Sequence, residues 1–493
     1  MRKVEFQQEI KDDFAFTPTH QQDLAIQMLS DFMSVSVNQG LFILKGYAGT
    51  GKTSLISSFV RILRKHNYQV ILLAPTGRAA RVLSNYSEMP ALTIHRKIYR
   101  QHRIGDIHTS YSLNTNAHTH TLFIVDEASM ISHTSSVTDI FSSNPLLDDL
   151  VEYVYSGNDC RLMLIGDTAQ LPPIGENESK ALNAEYLQGF GLDTFEIELN
   201  EVVRQRAESG ILLQATHIRQ YITAIQKQMY EYGQTEEIKQ PLIPAKPFPD
   251  LQCVEGEELL EALEDSYSQV GIEDTIIITR ANWRANQYNM GIRNRILWRE
   301  ELLERGDLLM VAKNNYYWAE QDKRDDFLAN GEIIQVRKVI KRYKLYGFEW
   351  AQVELEVPDH EEWYPEVLLL VDTLLAEAPA LTKEQQEKLY YAILEDYQHI
   401  TTQKARLNAL KEDKHFNALQ VKYAYAITCH KSQGGQWRRV FLDGAMLQED
   451  MLNLDGLRWL YTAYTRATDK LYLINYPERG KETAPIRSNE GNV

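Results

Sequence analysis

The stretch GYAGTGKT, Gly46 to Thr53, constrains this chain more than any other part of it. It fits the pattern G-x-x-x-x-G-K-[ST], and its surroundings fit as well. LFIL before it reads as a buried strand, and in SLISSFVRILRK after it Leu55, Ile56, Phe59, Val60 and Leu63 recur at helical spacing. Strand, glycine-rich loop and helix in that order imply an α/β fold with a parallel sheet. Gly46, Gly49 and Gly51 permit a backbone whose N–H groups converge on phosphate oxygens. Lys52 adds positive charge for the terminal phosphates, the Thr53 hydroxyl is a candidate Mg²⁺ ligand, and Thr50 and Ser54 complete the expected nucleotide-binding set.

A phosphate loop of this kind needs carboxylates for the metal and for the attacking water. TLFIVDEASM, from Thr121, is a continuous apolar run ending in Asp126 and Glu127, as expected of a central parallel strand with acids at its C-terminal edge. Asp126 is the candidate metal residue, through water, and Glu127 the candidate for orienting or deprotonating the hydrolytic water. RLMLIGDTAQLPPIG, from Arg161, is a third such strand, ending in Asp167 and Gln170 before Pro172 and Pro173 break it. Gln170 is long enough to reach a γ-phosphate and suits a sensor of nucleotide state.

The 493 residues, 44% of them apolar and without low-complexity tracts, suffice for two to four packed domains. No stretch approaches the ~20 apolar residues that cross a bilayer, and MRKVEFQQEIKDDF lacks a signal-peptide core. The expectation is a cytoplasmic protein without membrane contact. Cys160, Cys253 and Cys429 are too few and too scattered for a disulfide framework or a metal cluster. A net charge of -16 argues against indiscriminate binding to polyanions, yet basic residues cluster in RKIYRQHR from Arg96 and in ITRANWRANQYNMGIRNRILWR from Ile278. Those clusters read either as a nucleic-acid groove or as solvated helical faces. The aromatics Trp283, Tyr288, Tyr316 and Trp318 nearby read as base-stacking or as core residues.

In order, the chain carries TPTHQQDLAI from Thr17, GYAGTGKT, APTGRAARVL from Ala74, TIHR from Thr93, VDEAS from Val125, GDTAQLPP from Gly166, LNEVVRQ from Leu199, YAITCHKSQG from Tyr425 and YTAYTRA from Tyr461. This series resembles the motifs of superfamily 1 helicases and, in detail, the RecD/Dda-like 1B branch: an AAA-type P-loop ATPase with a UvrD-like C-terminal helicase region. The resemblance spans roughly residues 10 to 475. It implies that Gln22 reads the adenine, that Arg204 and Arg466 approach the γ-phosphate, and that Gln433 and Gly434 face the ATP cleft. It further implies backbone contacts to DNA from Pro75, Thr76, Arg78, Thr93 and His95 on one domain and from Thr428, His430, Lys431 and Ser432 on the other. Where family members often carry Glu two residues after the motif glycine, Gln436 stands here, so any ribose contact there is a neutral one.

The implied architecture is two RecA-like parallel-sheet P-loop NTPase domains with a small 1B hairpin insert and an SH3-like 2B β insert. Residues 1–205 form the first domain, with 99–120 as the strand-separating pin; 206–299 are a linker and the start of the second domain, whose first strand is TIIITR at Thr275. Residues 300–418 are the 2B insert, with strands DLLMVAKN, NGEIIQVRKVI and FEWAQVELEV, a turn at Asn330-Gly331, and an acidic helical part capped by Thr382 and Gln385. The second domain resumes at 419–476, with Val421 opening its next strand, and 477–493 form a flexible tail. The implied activity is an ATP- and Mg²⁺-dependent 5′-to-3′ DNA helicase acting as a monomer on single-stranded and tailed duplex DNA in repair or recombination. The alternatives are an RNA or RNA–DNA translocase and a motor subunit of a larger repair complex.

Overall fold

The computed structural model describes residues 3–14, 16–35, 39–102, 110–134, 144–202, 209–232, 248–324, 327–357, 363–444 and 453–476. Arg204, the centre of the expected pin at 103–109 and the tail beyond 476 lie outside these residues. Six strands form one parallel sheet in the order Ala91–Thr93, Gln69–Ala74, Thr121–Val125, Arg161–Gly166, Gly40–Gly46 and Asp193–Leu199. Both faces are covered, which is why Thr121–Val125 and Arg161–Gly166 are buried at every position. Along Gly40–Gly46 the pleat sends Phe42 and Leu44 into one core and Leu41 and Ile43 into the other. The helix Lys52–Lys65 buries Leu55, Ile56, Phe59, Val60 and Leu63, the five positions its spacing marked. Because all six strands run the same way, the phosphate loop, Asp126, Asp167, Thr76 and Thr93 emerge at one edge. This is the RecA-like P-loop ATPase arrangement.

A second parallel sheet has the order Ala426–Thr428, Thr275–Thr279, Trp437–Asp443, Ala467–Ile474 and Leu251–Val254. Its edge strand Leu251–Val254 was not marked by the sequence reading, since four residues flanked by Asp250 and Glu255 give little periodicity. The long helix Gly210–Tyr232 packs on Leu454–Tyr464 in this half.

The strands Leu308–Val311, Ile333–Leu345, Phe348–Glu356, Glu366–Leu370 and Leu419–Tyr423 close into a barrel. Register shifts at Val336/Lys338 and Val339/Lys341 bend the long hairpin toward closure, and Tyr346 and Gly347, both at positive φ, make its two-residue turn. The expected boundary after residue 418 is corrected here. Leu419–Tyr423 pairs antiparallel with Leu308–Val311 and parallel with Glu366–Leu370, so it closes the barrel, and the second sheet regains the chain only at Ala426. The run LQVKYAYAIT contains no Gly or Pro to mark that change of sheet. The helices Lys383–Asp396, with its Thr382/Gln385 capping box, and Gln403–Lys411 lay Leu389, Ile393 and Leu410 against Phe348 and Trp350 of the barrel. Near the first sheet, Tyr99–His102 and Ser110–Leu113 pair as an antiparallel ribbon.

Three of the five arginines in the basic segment from Ile278 are engaged in ion pairs within the fold. Arg284 forks onto Asp443 through two 2.8 Å contacts, while Arg293 and Arg299 both bind the buried Asp307. Among the described residues, no helix is long and apolar enough to cross a membrane.

Candidate functional site

The phosphate loop leaves the Gly40–Gly46 strand and turns through Gly49 and Gly51, whose φ values of 78° and 80° favour glycine. A Cβ on Gly46 would sit 3.0 Å from Lys52 Cγ and 3.1 Å from Leu199 Cβ, so the loop is also tight there. Lys52 turns its ammonium onto the carbonyls of Gly46 and Tyr47, the latter at 3.0 Å. Thr53 and Ser54 lie in the first turn of the following helix, whose N–H groups point toward the loop. Thr50 is buried, and its carbonyl accepts from Gln22 Nε2 at 2.8 Å. Gln22 Oε1 in turn accepts from the Thr19 N–H at 2.9 Å. Gln22, 2% exposed, therefore braces the phosphate loop through both ends of its amide.

The acids at the sheet edge are deeply placed. Burial, and then the neighbouring Glu127 charge, push the Asp126 carboxyl up to about 6 against the opposing pull of Lys52. Its Oδ1 accepts the Glu127 N–H at 2.8 Å. Glu127 sits at φ 52°, a left-handed conformation that costs a non-glycine residue on the order of 1 kcal/mol and turns the chain sharply at the strand end. Asp167 is raised chiefly by burial and accepts from the Ala169 N–H at 2.9 Å. Gln170 Oε1 and Ser129 Oγ are buried without a hydrogen-bond partner, and both residues line a cavity of about 440 Å³ with Asp167, Thr168, Lys45 and Arg458. That cavity lies beside the phosphate loop and does not include Lys52, Thr53, Asp126 or Glu127 in its lining; it is the loop lysine and the Asp126–Glu127 carboxylates at the sheet edge that fit a nucleoside triphosphate with a divalent cation.

The second half of the chain closes this site. Tyr461, on the helix Leu454–Tyr464, accepts the Ala48 N–H of the phosphate loop at 2.9 Å and donates to Asp167 Oδ2 at 2.6 Å. Beside it, Thr462 Oγ1 accepts the Leu171 N–H at 2.9 Å, and Gln433 Nε2 donates to the Leu171 carbonyl at 2.8 Å. Gly434, at φ 71°, packs so closely that a Cβ would lie 2.7 Å from Ala79 Cβ and 3.2 Å from Thr76 Oγ1. Arg78 donates to the Gln436 carbonyl at 3.0 Å and lies 3.8 Å from the Trp437 ring centroid. Gly434 thus meets Thr76, Arg78 meets Gln436 and Gln433 meets Leu171 across the seam between the sheets.

Arg466 differs from expectation. Its guanidinium donates to the carbonyls of Thr462 and Gly435 at 3.0 and 3.1 Å and to Thr465 Oγ1 at 3.1 Å, all within its own half. The side chain of YTAYTRA that touches the phosphate loop is Tyr461. Sequence reasoning passed over Tyr461 and Thr462, and the available signal was weak: hydroxyl-bearing residues on a helix whose neighbours Leu457, Leu460 and Ala463 are buried.

Of the expected strand contacts, Thr76 and Thr93 cap the helices Gly77–Ser87 and Ile94–Ile98, accepting from Ala79 and Arg96 N–H groups at 3.2 and 3.3 Å. Pro75 and His95 are half-buried beside them. Thr428 precedes the turn Cys429–Ser432, His430 is exposed, and Lys431 donates to Asn330 Oδ1 on the barrel at 2.7 Å. Ser432 is corrected: it is fully buried, and its hydroxyl donates to the Cys429 carbonyl at 2.7 Å, so it stiffens the turn and offers nothing to a strand.

Residues 20–240 match the AAA domain family, and residues 423–474 match the UvrD-like helicase C-terminal domain. The chain is 22% identical over 530 aligned positions to protein R530 of Acanthamoeba polyphaga mimivirus, covering 91% of this chain and 98% of that one. It is 30% identical over 183 residues to the ATP-dependent RecD2 DNA helicase of Deinococcus radiodurans, covering 36% of this chain and 21% of that one. The Bacteroides Pif1 helicase structure in complex with ADP-AlF3 and ssDNA aligns with 93% of this chain and 92% of that chain at 12% identity and a TM-score of 0.44.

Proposed function

We infer that this chain, whose residues 20–240 match the AAA domain and 423–474 the UvrD-like helicase C-terminal domain, is a RecD-like superfamily 1 DNA helicase, a 5′-to-3′ motor on single-stranded DNA serving repair or recombination. ATP hydrolysis is the chemistry of the phosphate loop. The finer reading takes the two parallel sheets as two RecA-like domains, the barrel as the SH3-like 2B insert, and the ribbon around residues 99–120 as the pin. One observation carries it: the nucleotide cleft is composite, because Tyr461, Thr462 and Gln433 of one lobe hydrogen-bond to the phosphate loop and to the Asp167–Leu171 turn of the other.

A composite cleft ties phosphate chemistry to lobe movement. Thr53 and Asp126 would hold Mg²⁺, which neutralises developing phosphate charge when bound. Lys52 supplies charge at the phosphates, Glu127 orients the attacking water, and Gln170, whose oxygen lacks a partner, reads the phosphate. Arg466 would reach the transition state only after leaving the Gly435 and Thr462 carbonyls, so its arrival would free the Gly435 carbonyl just beyond the turn that carries Lys431. Guanidinium stabilisation of this kind accelerates hydrolysis by about 10³ to 10⁵ in related chemistry. The same movement would alter the grip of Pro75, Thr76, Thr93, His95, Thr428, His430 and Lys431 on a strand.

Steady-state ATPase with single-stranded DNA, single-stranded RNA, duplex or no polymer, followed by unwinding of 5′- and 3′-tailed duplexes, tests this. Stimulation by single-stranded DNA and unwinding from a 5′ tail are expected. A 3′-tail preference overturns the polarity, and turnover indifferent to any polymer overturns the motor.

A further inference from the structure

The Ala48 N–H is one of the backbone donors of GYAGTGKT, yet its acceptor is a side-chain oxygen 413 residues away. Tyr461 spends its one hydroxyl proton on Asp167 and accepts from Ala48, a complete use of the group in a fully buried position. We propose that Tyr461 is a phosphate-displaced latch, a positioning residue that holds the phosphate loop to the Asp167 turn while the terminal phosphate is absent and yields the Ala48 N–H when that phosphate arrives.

The exchange runs downhill for a simple reason. A phosphate oxygen is charged and accepts a backbone N–H more strongly than a neutral hydroxyl does. Burial, and then the Asp167 charge, push the phenol well above its ordinary pKa, so Tyr461 stays neutral and cannot match that strength. Its other bond, to Asp167, is untouched by the exchange. Tyr461 therefore remains tied to the turn whose Leu171 N–H and carbonyl are held by Thr462 and Gln433, and Gln433 stands two residues from Lys431. Release at Ala48 is thus passed along Asp167–Leu171 to the turn expected to grip the strand. The latch rests on the composite-cleft reading above.

Its test needs no nucleic acid, so its failure is separable from failure of the motor. A fluorescent, non-hydrolysable ATP analogue and the matching ADP probe are titrated with Mg²⁺ into wild type, Tyr461→Phe and Tyr155→Phe. Losing a competing bond of about 1 kcal/mol should tighten the triphosphate analogue about fivefold in Tyr461→Phe, and the ADP probe less. Tyr155→Phe, which removes a tyrosine hydroxyl bonded to the Gly40 carbonyl at 3.0 Å, at the end of the strand away from the phosphate loop, should show no such tightening. Should Tyr461→Phe not fold, 3-fluorotyrosine at position 461, a weaker acceptor of nearly the same shape, should move selectivity the same way. Unchanged or weaker triphosphate binding in a folded variant, or equal tightening for both probes, overturns the latch.

Discussion

Replacing Asp307 with alanine should unmoor the barrel from the second sheet. The carboxylate is fully buried and accepts from Arg293 Nε and Nη2 at 2.9 and 3.0 Å, Arg299 Nη1 at 2.6 Å, the Tyr425 hydroxyl at 3.0 Å and the Glu304 N–H at 2.7 Å. Those donors come from the helix Asn282–Arg295, the approach to the first barrel strand, and the residue that enters AITCHKS. Arg293 is itself 0% exposed, with Nη1 already unpartnered, so loss of Asp307 strands a buried guanidinium over the Tyr423 ring. Removing one member of a buried pair typically costs about 3–5 kcal/mol, and the number of donors orphaned here places this site at the upper end. The assay is urea unfolding followed by tryptophan fluorescence for Asp307→Ala, Arg293→Met and the double variant. The double variant should lose less than the sum of the singles, because neither charge is then left alone. A loss below about 1 kcal/mol in Asp307→Ala, or strict additivity, would refute the reasoning.

Lys52→Ala and Glu127→Gln should each lower turnover by at least about 100-fold, measured by phosphate release, while single-stranded DNA affinity without nucleotide stays within about twofold. Lys431→Ala should weaken strand binding several-fold and reduce the slope of log K against log salt by about 0.7, the share of one phosphate contact, in fluorescence anisotropy across salt concentrations. Lys422, pushed down to about 8 by burial and then by the Lys431 charge, is protonated at pH 7 and loses its charge by pH 9. Strand affinity should therefore fall as pH rises through about 8, since a nearby phosphate favours the protonated form, and Lys422→Met should flatten that fall in anisotropy titrations.

Local chemistry made much of this protein legible before any coordinates. The glycine pattern and helical spacing around Lys52, the acids closing the strands at Asp126 and Asp167, and the Thr382/Gln385 box depend on residues within one or two turns of each other, where period and side-chain reach leave few options. What only the tertiary structure decided is which distant group each polar side chain meets. Arg284, Arg293 and Arg299 read as a basic patch until Asp443 and Asp307 are brought beside them. Leu419–Tyr423 carries no mark that it belongs to the barrel, because either sheet would accept its alternation of buried and partly exposed residues. Tyr461 reaches the phosphate loop and Arg466 does not, although both stand in one motif, because a few residues of helix rotate one hydroxyl into the seam and fold the other group back onto its own carbonyls. Partners so far apart in the chain are chosen by how the lobes pack, and no local pattern encodes that choice.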